Sequence, residues 1–317
     1  MDAAQLRPLS VGEILDLAIK VYRERFVHLV KAVTVVVAPV SVLGAVIQLS
    51  LPDIDAISGT TDEFGRVTVE AGDIWAFLGG LLALGLIAYV ASQLATAASF
   101  KLVSGAYLDE EPDWRASLAF ATSKLGSLMW LTVVFALGLV AGFLACVIPS
   151  VYLYVAWTVA VPVLLLEDAR GAKALGRSRA LVKGRWWPVA GVLLVAFVLT
   201  GLVQSTASGL LLAVASAGDS ELVDVVAQAV ANTAASVLTT PFSAAVIMVV
   251  YFDLRVRKEG FDLELLARRV GVEPGPGAWS SPDHPSPVPE VPGAGSQPPF
   301  WPPPPGWRPE PPGPPEP

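Results

Sequence analysis

Hydrophobic positions in this chain run in long uncharged blocks separated by short charged ones. Positions 74–100, 125–166 and 186–218 hold no Asp, Glu, Lys or Arg over 27, 42 and 33 residues, and 32–51 and 225–252 are equally free of charge. A hydrocarbon core of ~30 Å takes about 20 apolar residues as a helix, so each block predicts one span and the longest predicts two. With a turn placed at Pro149 and Ser150, spans are expected over 32–51, 74–100, 125–148, 150–166, 187–216 and 225–252. The predicted class is all-α: a polytopic membrane protein of six transmembrane helices arranged as three hairpins.

Each hairpin is expected to follow an amphipathic cytoplasmic segment. Ser10, Val11, Gly12 and Glu13 fit the S-x-x-E capping box. Ile14, Leu17, Ala18, Val21 and Tyr22 then recur at helical spacing among charged neighbours, which predicts a helix lying on the interface. Comparable segments precede the other hairpins at 113–124 and 168–186. The first and third align at a constant offset: Leu15, Ala18, Val21, Arg23, Arg25 and Phe26 face Leu175, Ser178, Leu181, Lys183, Arg185 and Trp186. Any symmetry between them would be parallel, about the membrane normal.

Charge orients the threading. The stretch 167–187 carries Arg170, Lys173, Arg177, Arg179, Lys183 and Arg185 against Glu167 and Asp168. Lys/Arg excess beside spans belongs on the cytoplasmic side. With both termini placed there, 20 of the 21 Lys/Arg fall on that side and only Arg66 lies outside. The expected organisation is a cytoplasmic segment over 1–31, a membrane domain over 32–252, a cytoplasmic helix over 253–270 and a disordered tail over 271–317. The expected location is the plasma membrane, with no cleavable leader. The tail holds 19 of the 27 prolines, a composition that favours polyproline II over a packed core.

Composition narrows the chemistry. Of 317 residues, 54% are hydrophobic and only 15% are charged. Cys146 is alone, which excludes an intramolecular disulfide, and inside an apolar run it reads as a small buried residue. His28 and His284 stand at opposite ends of the chain. The Asp53-x-Asp55 pair lacks calcium ligands where Ile57 and Phe64 stand. No metal, cofactor, catalytic group or nucleic-acid contact is expected, and no charge lies inside a predicted span to mark an ion path.

Three groups of residues remain as candidates. The six bases of 167–187 can contact anionic lipid or serve only to set topology. Gln204, Ser205, Gln228, Asn232 and Thr233 in the last two spans can join helices or line a polar path, and Gly138-x-x-x-Gly142 suits close helix packing. Trp279, Phe300, Trp301 and Trp307 punctuate the proline-rich tail and can dock a partner that reads proline and aromatic pairs.

Three stretches carry a resemblance: RPLSVGEILDLA from Arg7, ALGRSRALVKGRWW from Ala174 and YFDLRVRKEGFDLE from Tyr251. Over about residues 5–270 the chain resembles actinobacterial proteins of the glycerophosphoryl diester phosphodiesterase membrane-domain family. That resemblance implies a membrane part without the catalytic barrel, whose paired histidines and metal-binding carboxylates have no counterpart here. The expected function is a non-enzymatic membrane scaffold or accessory protein that contacts lipids and a protein partner. The alternative is a lipid or small-solute permease using the polar residues of the last two spans.

Overall fold

A computed structural model of the protein describes residues 9–50, 60–61, 67–68, 71–107, 111–167, 169, 171–215 and 220–260. The expectations for Asp53, Asp55, Ile57, Phe64 and Arg66, for Arg170, for 261–270 and for the aromatic tail lie outside the described residues. The protein is an all-α, six-span polytopic membrane protein. Six helical segments are long and apolar enough to cross a bilayer: Phe26–Ser50, Ile74–Ala106, Trp114–Ala145, Val147–Glu167, Trp186–Leu211 and Leu222–Glu259. A two-residue antiparallel pairing, β1 (Thr60–Thr61) with β2 (Val67–Thr68), lies between the first two.

Helix α1 (Val11–Glu24) begins at the expected capping box. Ser10 N–H donates to Glu13 Oε2 at 2.7 Å, and Glu13 N–H donates back to Ser10 Oγ at 3.4 Å. Its buried face is Ile14, Leu17, Ala18 and Val21, the stripe that the spacing predicts. The helix stops at Arg25, and α2 (Phe26–Ser50) starts at once, six residues earlier than the apolar block suggested. Helix α3 (Ala71–Tyr107) likewise runs past Lys101.

Prolines place the breaks in the 42-residue block, but not where the sequence suggested. Helix α4 (Trp114–Ala145) is one piece, so 114–124 is continuous with its span rather than a separate segment. It ends at Cys146, which is exposed rather than buried. Pro149 then sits in the first turn of α5 (Val147–Ala156), and a second break over 157–159 precedes α6 (Ala160–Glu167), which contains Pro162. A proline lacks an N–H and crowds the carbonyl four residues back, yet it is tolerated in a first turn. Those carbonyls belong to Ala145 and Thr158, and both breaks fall there. The expected turn at Pro149 and Ser150 is therefore moved back to Cys146.

Close packing of α5 on α4 uses the predicted glycines. A Cβ on Gly142 would meet the Ser150 backbone at 3.1 Å, and one on Gly138 would meet the Trp157 ring at 2.5 Å. Helix α7 (Ala172–Val182) buries Ala174, Leu175, Ser178, Leu181 and Val182. Ser178 Oγ donates to the Ala156 carbonyl at 2.9 Å, which satisfies an acceptor freed by the break between α5 and α6. Helix α8 (Trp186–Ala215) follows Arg185 as α2 follows Arg25, both at the 160-residue offset.

Helix α9 (Glu221–Glu259) is the mast of the bundle, packing against α1, α2, α3 and α8. Its 39 residues span ~58 Å, far more than a hydrocarbon core, so one end stands clear of the membrane. Residues 244–246, 248–252 and 254 are all buried, which puts the core toward the end where α9 finishes. Large apolar side chains such as Leu82, Leu144 and Phe197 point outward, as a lipid-facing surface requires. Gly138→Leu is expected to lower the melting temperature of detergent-solubilised protein through overpacking of roughly 1–3 kcal/mol. Gly126→Ala, where a Cβ meets nothing within 4 Å, is expected to leave it unchanged.

Candidate functional site

Two polar assemblies stand out, one near each end of α9. The first is an ionic junction built on the end of α6. Glu167, its last residue, accepts from Arg177 Nε of α7 at 2.7 Å and from the Tyr251 hydroxyl of α9 at 2.9 Å. Arg177 also pairs through Nη2 with Glu259, which Arg255 Nε holds at 3.0 Å. Burial alone would lower the Arg177 pKa, but hydrogen bonds and charges from Glu167 and Glu259 outweigh it and the pKa is raised. Arg177 thus stays charged, the cation between two carboxylates.

The same turns of α9 hold the start of the described chain. Leu9 N–H donates to Asp253 Oδ1 at 2.8 Å, Arg257 Nη2 donates to the Leu9 carbonyl at 2.5 Å, and Arg257 Nε reaches Asp253 Oδ2 at 2.9 Å. The Asp253–Arg257 pairing has the i,i+4 spacing of neighbours on one helix face. Lys258 Nζ donates to the carbonyls of Ala180 at 2.5 Å and Lys183 at 2.7 Å, a cation at the carbonyl end of α7. Gly260, at φ +61, then ends α9 in the left-handed region.

The second assembly is an open recess of ≈ 320 Å³ among α2, α3 and α9. Gln48, Ser41, Ser92, Gln228, Asn232 and Thr240 supply its polar lining. Beneath it Val33, Ala95 and Val237 pack together as a buried apolar plug, with Val37 against it and in the recess wall. The Thr233 and Ser41 hydroxyls lie 2.7 Å apart and join α9 to α2 beside the cavity. Asn232 and Glu259 are separated by 27 residues on one helix, ~40 Å, so the recess and the junction lie far apart along the bundle.

The sequence candidates distribute unevenly over these sites. Gln228 and Asn232 enter the recess and Thr233 stands at its edge, but Gln204 and Ser205 do not contribute. Both are exposed on α8, and Ser205 Oγ donates to the Leu202 carbonyl of its own helix at 3.0 Å. Around this recess α2 and α3, rather than α8, are the partners of α9. The groove between α8 and α9 is instead apolar, walled by residues such as Leu210, Leu222 and Val226.

Among the bases, Lys173, Arg179 and Lys183 are exposed and Arg185 is half-buried, while Arg177 is consumed by the junction. Trp186 stacks on Tyr152 and donates Nε1–H to its carbonyl at 3.3 Å; Trp187 is exposed. Sequence reasoning missed Glu167, Tyr251 and Glu259 as a unit, and Gln48, Ser41 and Ser92 as recess residues. One signal was available: Glu167 is an acid that closes an apolar span within ten residues of Arg177.

Among the described residues no group of three or more His, Cys, Asp or Glu could hold a metal ion. Residues 116–272 match a domain of unknown function, DUF8558. No curated protein and no solved structure matches the chain. The matched stretch contains the whole Glu167–Arg177–Tyr251–Glu259 junction but only the α9 wall of the recess.

Among the described residues, Arg177→Ala leaves Glu167 with only the Tyr251 hydroxyl and Glu259 with only Arg255; breaking a fully buried pair costs about 3–5 kcal/mol. Partial exposure of all three side chains reduces the expected loss to roughly 1–3 kcal/mol, read as a lower melting temperature and faster proteolysis between α6 and α7. Arg177→Lys is expected to recover only part, because an ammonium cannot hold two carboxylates in a planar fork.

Proposed function

We propose that the protein handles a lipid or small solute, with the α2–α3–α9 recess as its binding site. One observation carries the reading: Gln48, Gln228 and Asn232, three exposed amide side chains from apolar helices, line one open cavity beside a buried apolar cluster. Amides within a bilayer are costly unless they find partners. Val33, Ala95 and Val237 pack as a buried apolar cluster at the inner part of the recess, and in this reading movement across the membrane requires that cluster to part. The plug sits in the turn of α9 ahead of Pro241, where a missing N–H loosens the helix.

In this reading the junction lies on the cytoplasmic side and the recess faces the other way. The bases flanking α1, α4, α7 and α9 support that orientation through the positive-inside bias. The three-hairpin arrangement, with α1 and α7 as equivalent interfacial helices and the 261–270 stretch cytoplasmic, belongs to the same proposal. So do the plasma-membrane location, the absence of catalysis and the likeness to the phosphodiesterase membrane-domain family. Lys173, Arg179 and Lys183 are placed for anionic headgroups of the inner leaflet, each gaining about 1 kcal/mol there.

A second reading, a scaffold that recruits a protein partner, is favoured by the proline-rich, aromatic tail at 271–317. One experiment separates the two. Proteoliposomes of the full chain, Asn232→Leu and a 271–317 deletion are compared for lipid and solute movement, and their partners in cells are compared by affinity purification. The recess reading expects Asn232→Leu to abolish movement and the deletion to leave it intact. Movement unaffected by Asn232→Leu, with partners lost on deletion, would replace it by the scaffold.

A further inference from the structure

Charge, or its lack, sets the class of molecule that the recess can take. The wall segments 37–48 of α2, 84–95 of α3 and 225–240 of α9 contain no Asp, Glu, Lys or Arg. Asp224 is the nearest ionisable residue along α9, one position before the lining Val225, and it is not part of the wall. Among the described wall residues an anion entering the recess would meet no base, and a cation would meet no carboxylate. In a low-dielectric setting an unpaired charge is costly.

An apolar ligand is disfavoured for the opposite reason. The amides of Gln48, Gln228 and Asn232 hold no hydrogen bond among the described residues. Each brings two donors and one acceptor oxygen. Ser92 donates its proton to the Tyr89 carbonyl at 2.7 Å, and Ser41, which accepts from Thr233 at 2.7 Å, donates to the Val37 carbonyl at 3.1 Å, so each keeps a lone pair for the cavity. The wall therefore mixes donors and acceptors at neutral charge. Neighbouring hydroxyl groups, each both donor and acceptor, complement that mixture. A volume of ≈ 320 Å³, near the lower end of small-molecule sites, suits one ring-sized group rather than a whole lipid.

We propose that the α2–α3–α9 recess binds a neutral, hydroxyl-rich group, a glycosyl or polyol moiety, carried by a lipid headgroup or free in solution. This deepens the recess reading above and rests on it. Gln48, Gln228 and Asn232 are the donors, Ser41 and Ser92 the acceptors, and the Val33–Ala95–Val237 plug sets the depth.

The test uses the full chain purified in mild detergent. It is offered an equimolar mixture of monoglucosyl-diacylglycerol, phosphatidic acid and phosphatidylcholine with matched acyl chains, and retained lipid is read by native mass spectrometry. Free glucose is titrated in a separate arm as ligand and as competitor. The expected result is at least ten-fold preference for the glucosyl group, as lipid or as free glucose, cut ten-fold or more by Gln228→Leu with Asn232→Leu. Asn232→Asp keeps the volume but replaces two donors with a charge, and it is expected to lower retention even if the leucine pair does not fold.

Glucosyl lipid retained and not displaced by free glucose assigns a lipid headgroup; displacement assigns the sugar itself. Phosphatidic acid or phosphatidylcholine retained best, and lost in the variants, would overturn the neutral-group inference while leaving the recess as a binding site. Retention of every probe unchanged in all the variants would overturn both.

Discussion

Arg177 between Glu167 and Glu259 is the contact on which the arrangement of this bundle depends. Inside a bilayer, apolar side chains gain nothing by leaving lipid for one another, so helices associate through close packing and a few polar bonds. A charge-assisted fork outside the hydrocarbon is stronger than those terms and more specific in geometry. Here it ties the end of α6, the face of α7 and the end of α9 together, with Tyr251 buried beneath as the second partner of Glu167. Asp253 and Arg257 extend the same grip to Leu9, ahead of α1.

The two ends of α9 therefore differ in character. Toward Glu259, nearly every position is buried and polar atoms find specific partners. Toward Glu221, amides face an open cavity, and the Thr233–Ser41 pair crosses between α9 and α2 beside it. A bundle fixed at one end and open at the other can change the shape of its open end without coming apart. Elements drawn into binding come from the less tightly packed part of a fold. Pro39 in α2 and Pro241 in α9 lie in the walls beside the plug, where the helices have lost a backbone bond.

Local signals were legible because local physics produced them. The capping box before α1 fixes where that helix starts, and its apolar stripe is the buried face. The 160-residue offset reappears in the structure: α2 and α8 begin at Phe26 and Trp186, each behind an arginine. The Gly138 and Gly142 spacing marked a close approach, and a Trp ring and a turn of backbone fill it. Proline breaks were legible in kind but misplaced by a few residues. The block to hydrogen bonding acts four residues upstream of the ring, so Pro149 and Pro162 start helices rather than ending them.

Which blocks cross the membrane, and how many do so, was set by the sequence alone, because burying a helix in hydrocarbon requires a run of apolar residues and little else. Which helices touch was set by tertiary structure. Gln204 and Gln228 are near neighbours in the chain's order of spans and similar in chemistry, yet only Gln228 enters the recess. Its companions, Gln48, Ser41 and Ser92, come from helices more than 130 residues away. No periodicity could pair them. In a lipid environment the apolar faces of helices are nearly interchangeable, and only side-chain shape and a handful of polar contacts choose among the packings that they permit.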